Sequence, residues 1–263
     1  MYTVDLFADS FGDVRQKYLH QPHRTWVDLL SDHYKIKNFS LTGTGAHYHV
    51  QKLMNIERHS DFLLFMMPDI NRLSLSYIVD NFQATTNLIF KQKQTGTFDP
   101  NYWQFKENKH LIDSADQIFR DYEGFYNAQL HKILEPLIVQ YVFSKSHIYE
   151  KILVWCSSGQ GYPFTYNNSL IIPENCHIVK GSLHIISDNE PGNKTRRQFI
   201  NKDTGKVEIN HKPVLDDRNN HLCEDNHRFL AESIHDYFEY GTLPDVSKLL
   251  EDQSNQRQDF IYD

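Results

Sequence analysis

The chain has 263 residues, 40% of them hydrophobic and 23% charged, with a formal net charge of −7 and an isoelectric point near 6.1. That length buries an adequate core without disulfide or metal staples, and the even spread of apolar residues favours one domain carrying an insertion over two small domains. Basic residues are scattered, which argues against nucleic acid as a partner, and no window approaches the roughly 18 apolar residues of a membrane span.

In chain order, a short apolar strand over about 2–8 breaks into Asp9-Ser10-Phe11-Gly12-Asp13. A helix over about 24–34, a strand over about 35–41 that ends in the Gly-rich turn at Gly43, and a helix over about 46–57 follow. The unbroken apolar run Phe62-Leu63-Leu64-Phe65-Met66-Met67 then reads as a buried third strand. This βαβαβ opening predicts a parallel sheet. Right-handed crossovers place the carboxyl ends of its strands, with Ser10, Gly43 and Asp69 to Asn71, along one edge.

An aromatic-rich insertion spans about 72–150, with helical periodicity from Leu111 to Phe143. Its rings, Trp103 and the neighbouring tyrosines among them, read as core or, more sharply, as a carbohydrate or acyl platform. Lys151 to Cys156 is the fourth strand and Cys176 to Val179 the fifth; Ser187 to Pro213 reads as loop with one hairpin. The helix from Asp225 to about Tyr240 has Phe229, Leu230, Ile234, Tyr237 and Phe238 at helical spacing and is stopped by Gly241 and Pro244. Residues 1–245 are therefore expected to form one domain with the insertion, and 246–263 a polar, acidic tail.

The three cysteines, Cys156, Cys176 and Cys223, lack CxxC or metal-ligand spacing and read as reduced thiols. The 15 histidines include His20, His23 and the His47-Tyr48-His49 triplet, yet none has zinc-site spacing. No metal and no cofactor are expected, and His47 is read as a pocket wall. No charged-then-apolar leader precedes the first strand, so the expected location is cytoplasmic in the producing cell, without a signal peptide.

Ser10 has the setting of a nucleophile. It follows a strand, Gly12 permits a tight turn, and backbone N–H groups at a following helix start can bind an oxyanion. Asp-Ser beside Gly is also ordinary turn chemistry, because both side chains hydrogen-bond their own backbone. Three later segments change the balance by falling in order: Asn38-x-Ser40-x-x-Gly43, Pro68-Asp69-Ile70-Asn71, and His221-Leu222 with His227 six residues on and Ala231 four further.

Together with Trp26 in the first helix, these segments resemble the four blocks of the SGNH, or GDSL-like, hydrolase family. The resemblance covers about the first eighty and the last fifty residues. It implies an α/β fold, a three-layer flavodoxin-like sandwich with a central parallel sheet of about five strands and a helical insertion. It also implies a serine ester hydrolase without cofactor. Ser10 is then the nucleophile, His221 the base, and Ser10, Gly43 and Asn71 the oxyanion hole.

The chain departs from the family in three places. Ala8 replaces the usual Gly of the first block. The third block lacks its Gly and has Asn71 one place late. Arg218 stands three residues before His221, where the family has its acid, so either Asp217 orients His221 or the site is a Ser-His dyad.

The implied substrate is a small-molecule or glycan ester, an acetylated carbohydrate being one case. The compact block pattern is similar to chains encoded by bacteriophages, which implies particle or oligomer association. The protein is then either a virion-associated esterase or a non-catalytic SGNH-like structural or binding protein. A nucleotide-binding module needs a phosphate loop after the first strand, and Gly12 alone does not make one.

Overall fold

A computed structural model describes residues 1–14, 24–41, 44–68, 128–157, 170–183, 187, 198–200, 207–209 and 222–246. The elements in chain order are β1 (Thr3–Phe7), α1 (Trp26–Leu30), β2 (Lys35–Asn38), α2 (Ala46–Met54), β3 (Phe62–Met67), α3 (Ala128–Phe143), β4 (Lys151–Cys156), β5 (Cys176–Ser182), β6 (Gln198–Ile200), β7 (Val207–Ile209) and α4 (Glu224–Tyr240). The expected α/β character and parallel sheet are present. The sheet has five strands in the order β2-β1-β3-β4-β5, and every neighbouring pair is parallel. Strands β6 and β7 form a separate antiparallel pair within the stretch read as loop with a hairpin. The insertion up to residue 127 and the tail beyond Val246 lie outside the described residues.

Two-residue alternation along the strands divides the core between the faces of the sheet. Val4, Leu6, Leu64, Met66, Leu153 and Trp155 pack with Trp26 and Leu30 of α1 and with Leu230, Ile234 and Phe238 of α4. Phe7, Leu63, Phe65, Ile152 and Val154 pack with Leu53 of α2 and with Val139 and Val142 of α3. Both faces are covered, which is why β3 is buried at every position and β4 at all but its first and why neither strand shows polar alternation.

The helix ends follow local chemistry. Thr25 caps α1 in a capping box with Asp28, satisfying backbone donors that a five-residue helix otherwise leaves open. Gly241 ends α4 in the left-handed conformation (φ 75°), and its N–H donates back to the Tyr237 carbonyl. A second left-handed glycine, Gly181 (φ 100°), accompanies a register shift opposite Trp155 and Cys156. That bulge lets β5 continue past Val179, its expected end, and seats Ser182 opposite Cys156.

Amid the apolar strands, Asp5 of β1 is fully buried. Its carboxylate accepts from the Ser60 N–H (3.0 Å) and hydroxyl (2.6 Å) and from the Tyr149 hydroxyl (2.8 Å), with Lys37 Nζ at 3.7 Å. A buried carboxylate is tolerated only when paired and hydrogen-bonded. This one joins β1 to the approaches of β3 and β4. At the same end, Asp61 accepts from the Thr3 N–H and hydroxyl, and those bonds hold its carboxyl below the usual range.

Asp5→Ala leaves Ser60, Tyr149 and Lys37 facing an empty site, and a loss of about 3 kcal/mol or more in urea unfolding is expected. Tyr149→Phe, which removes one of several donors, should cost about 1–2 kcal/mol. Equal, negligible losses from both would show that the network contributes nothing to stability.

Candidate active site

Of the expected site residues Ser10 alone lies among the described residues, just past β1 at the carboxyl ends of the strands. Past β1 the chain makes a turn closed by the Gly12 N–H on the Asp9 carbonyl (3.1 Å), with the Asp9 carboxylate accepting from Phe11 N–H (3.3 Å). Neighbouring segments satisfy the outward carbonyls of this turn. Trp26 Nε1 donates to Phe11 O (2.7 Å), and Asn38 Nδ2 donates to Gly12 O (2.8 Å). Within residues 8–13 only Ser10 escapes full burial. The turn is held by its neighbours and presents the serine.

Gly12 serves this turn by its size. Its backbone is not left-handed; a Cβ built there would meet Ala8 Cβ at 2.6 Å and Ser40 Oγ at 2.7 Å. The expected tight turn is present, and Gly12 is needed in it because the end of β1 and the chain after β2 approach closely. Ala8 supplies one wall of that contact.

Asn38 links the first two blocks. Besides bonding Gly12 O, its Oδ1 accepts from the Ser40 N–H (2.8 Å). The Ser40 N–H, which faces away from β1, is satisfied by this side chain, while Phe39 N–H and Leu41 N–H bond Leu6 O and Ala8 O. The regular strand ends at Asn38, but backbone bonds to the β1 segment continue to Leu41, the expected limit. Gly43 lies outside the described residues. Its flanking residues are joined by the Thr44 N–H on Leu41 O (3.3 Å).

His47, expected as a pocket wall, is exposed on the first turn of α2, and His49 is buried. Thr44 Oγ1 donates to Leu41 O (2.6 Å) and also contacts His49 Nε2 (2.9 Å). A hydroxyl has one proton, so the nitrogen is the donor in the second bond. His49 also lies edge-on to Phe7 and Phe65, a packed position.

From the last block, His221 and Asp217 lie outside the described residues, and Leu222 and His227 are placed. Leu222 is buried in the same cluster as Ala8, Phe11 and Trp26. His227 is fully buried, and its Nδ1 accepts the Trp26 N–H (3.0 Å). The second histidine of the block is thus a structural acceptor that ties α4 to the start of α1.

Pro68 is buried at the end of β3, and Asn71 lies outside the described residues. Cys156, at the end of β4, has its thiol pushed up to about 12 by burial. It is protonated at neutral pH and is no competitor to Ser10 as nucleophile. Among the described residues no three metal-ligating side chains cluster, and no helix is long and apolar enough to cross a membrane.

Sequence reasoning found Ser10, Trp26, Asn38 and His227 only as letters in spaced blocks. The bonds joining Asn38 to Gly12 and Trp26 to His227 have no local signal, since the partners are 26 and 201 residues apart.

Gly12→Ala should force the turn away from Ala8 and Ser40 and cost about 1–3 kcal/mol, as overpacking does. Adding Ala8→Gly removes one of the two clashes, so the double variant should recover part of that loss in urea unfolding. A double variant no more stable than Gly12→Ala would show that the contact with Ala8 is not the constraint.

Compared with known proteins, the chain matches no family model, no curated protein and no solved structure.

Proposed function

We propose that the protein is a serine ester hydrolase of SGNH type, built as a three-layer flavodoxin-like sandwich and acting through an acyl-enzyme. The observation that carries this reading is the convergence at one sheet edge of three separate blocks. Ser10 stands on a turn bonded to Asn38 and Trp26, and Leu222, next in the chain to His221, is buried in the cluster that holds Ala8 and Phe11. The strand order reverses direction at β1, between β2 and β3, and crevices at such switch points are where open α/β sheets bind ligands.

In the proposed reaction His221 accepts the Ser10 hydroxyl proton as Oγ bonds to the ester carbonyl carbon. The N–H groups of Ser10 and Gly43, with the Asn71 amide, hold the negative oxygen. The ester C–O bond then breaks, and the alcohol leaves with the proton carried by His221. Water, deprotonated by the same imidazole, hydrolyses the acyl-enzyme and restores Ser10. Asp217 orients His221 and stabilises the imidazolium. A glycan carrying acetyl esters is the proposed substrate, and particle or oligomer association is part of the same reading.

Wild-type protein should be labelled at Ser10 by a fluorophosphonate and should hydrolyse short aryl esters, and Ser10→Ala should abolish both. A folded wild type that is neither labelled nor faster than Ser10→Ala would favour the non-catalytic, structural reading.

Asp217→Asn should lower turnover by about 10⁴-fold if a triad operates, with Asp216→Asn close to wild type. Mild, equal effects would identify a Ser-His dyad. Loss of an oxyanion donor costs about 10²–10³ in rate, the effect expected of Asn71→Ala.

A further inference from the structure

At the amino ends of β4 and β5, on the opposite edge of the sheet from Ser10, a cleft of about 460 Å³ opens beside the carboxyl end of α4. Its size falls within the range of about 300–1,000 Å³ typical of small-ligand sites. Glu150, Glu174, Lys151, His177 and Tyr237 supply its chemistry.

The hydrogen bonds fix what each group still offers. Lys151 Nζ is committed to the carbonyls of Tyr237 (3.2 Å) and Phe238 (2.5 Å) at the end of α4. The Asn175 side chain, also in the lining, donates to Ser146 O and Tyr149 O (2.9 Å each). Tyr237 donates its one proton to Ile152 O (3.0 Å), so its 2.9 Å contact with His177 Nδ1 requires Nδ1–H as donor. Nε2 of His177 is then the nitrogen with the lone pair. Burial, aided by the Lys151 charge, lowers the affinity of this imidazole for a second proton.

Glu150 and Glu174 are exposed, and neither makes an ion pair with another described residue. What remains unspent in the cleft is two carboxylates and an acceptor nitrogen, the negative end of α4 being met by Lys151. The cation in the lining is already used.

We propose that this cleft binds a small aliphatic ammonium compound, a short diamine being the form that matches two carboxylates. An ammonium group carries three donors and no acceptor, the complement of the groups left open here, and the Tyr237 ring already has one ammonium, that of Lys151, at 5.9 Å. Anionic ligands meet two uncompensated carboxylates and are disfavoured.

The test is titration calorimetry with putrescine at low ionic strength, with 1,4-butanediol as the neutral control. Saturable binding of one putrescine, none of the diol, and weakening of about three- to tenfold in each of Glu150→Gln and Glu174→Gln are expected. These glutamates are exposed, so the variants should fold, and unchanged thermal unfolding checks this. Ser10→Ala should bind putrescine as the wild type does, which separates this site from the esterase reading. Absence of saturable binding, equal uptake of the diol, or wild-type affinity in the double Gln variant would overturn the proposal.

Discussion

β1 is hydrogen-bonded along both sides, to β2 and to β3, and buried on both faces of the sheet from Val4 to Phe7. A one-residue slip of its register would exchange Val4 and Leu6 with Asp5 and Phe7, turning the carboxylate toward α1 and α4 and breaking every contact on both faces. The turn that follows β1 therefore has a fixed starting point. Its own bonds, to Trp26 and Asn38, extend that definition to Ser10, so a loop residue takes on the precision of a central strand. The proposed role of Ser10 as nucleophile rests on this placement, because a small displacement of a reacting group costs orders of magnitude in rate.

The two edges of the sheet use polarity differently. At the amino edge Asp5 accepts the hydrogen bonds of Ser60 and Tyr149, with the charge of Lys37 beside it and Lys37 Nζ bonded to Arg58 O. Tyr149 is held firmly in its protonated form there, by burial and by the charge of Asp5. These groups fasten the entries of β1, β3 and β4, and further along the same edge the cleft beside α4 retains carboxylates that remain open. At the carboxyl edge the turns after β1 and β2 satisfy their carbonyls through Trp26, Asn38 and Thr44, and Ser10 stays half-exposed.

Helices α1 and α4 run side by side in the same direction, joined at both ends. His227 receives the first N–H of α1. One turn past the end of α1, Tyr34 bonds His235 (3.0 Å) and Glu239 (2.9 Å), and His33 stacks on His235 at 4.2 Å. A helix as short as α1 has little stability of its own, since nucleation is costly. Its persistence comes from Trp26 in the core, the Thr25 cap and these contacts with α4. Through the same contacts the segment entering α4 is held near the Ser10 turn.

The elements themselves were legible because burial on both faces leaves a plain local trace. Phe62 to Met67 and Ile152 to Cys156 are unbroken apolar runs, and α4 carries its apolar residues at helical spacing up to Gly241. Ser10 could be singled out because it ends such a run beside Gly12. The spaced blocks could be recognised, but not what each side chain does. Only the tertiary structure decided that Gly12 is small because Ala8 and Ser40 stand against it, that Asn38 bridges two turns, that His227 is an acceptor for α1, and that Asp5 is matched by groups 55 and 144 residues away. Strand order likewise belonged to the structure. Local pattern reports whether a residue is buried, through composition and period, whereas the choice of partner is set by packing among segments distant in the chain and leaves no periodic mark on either of them.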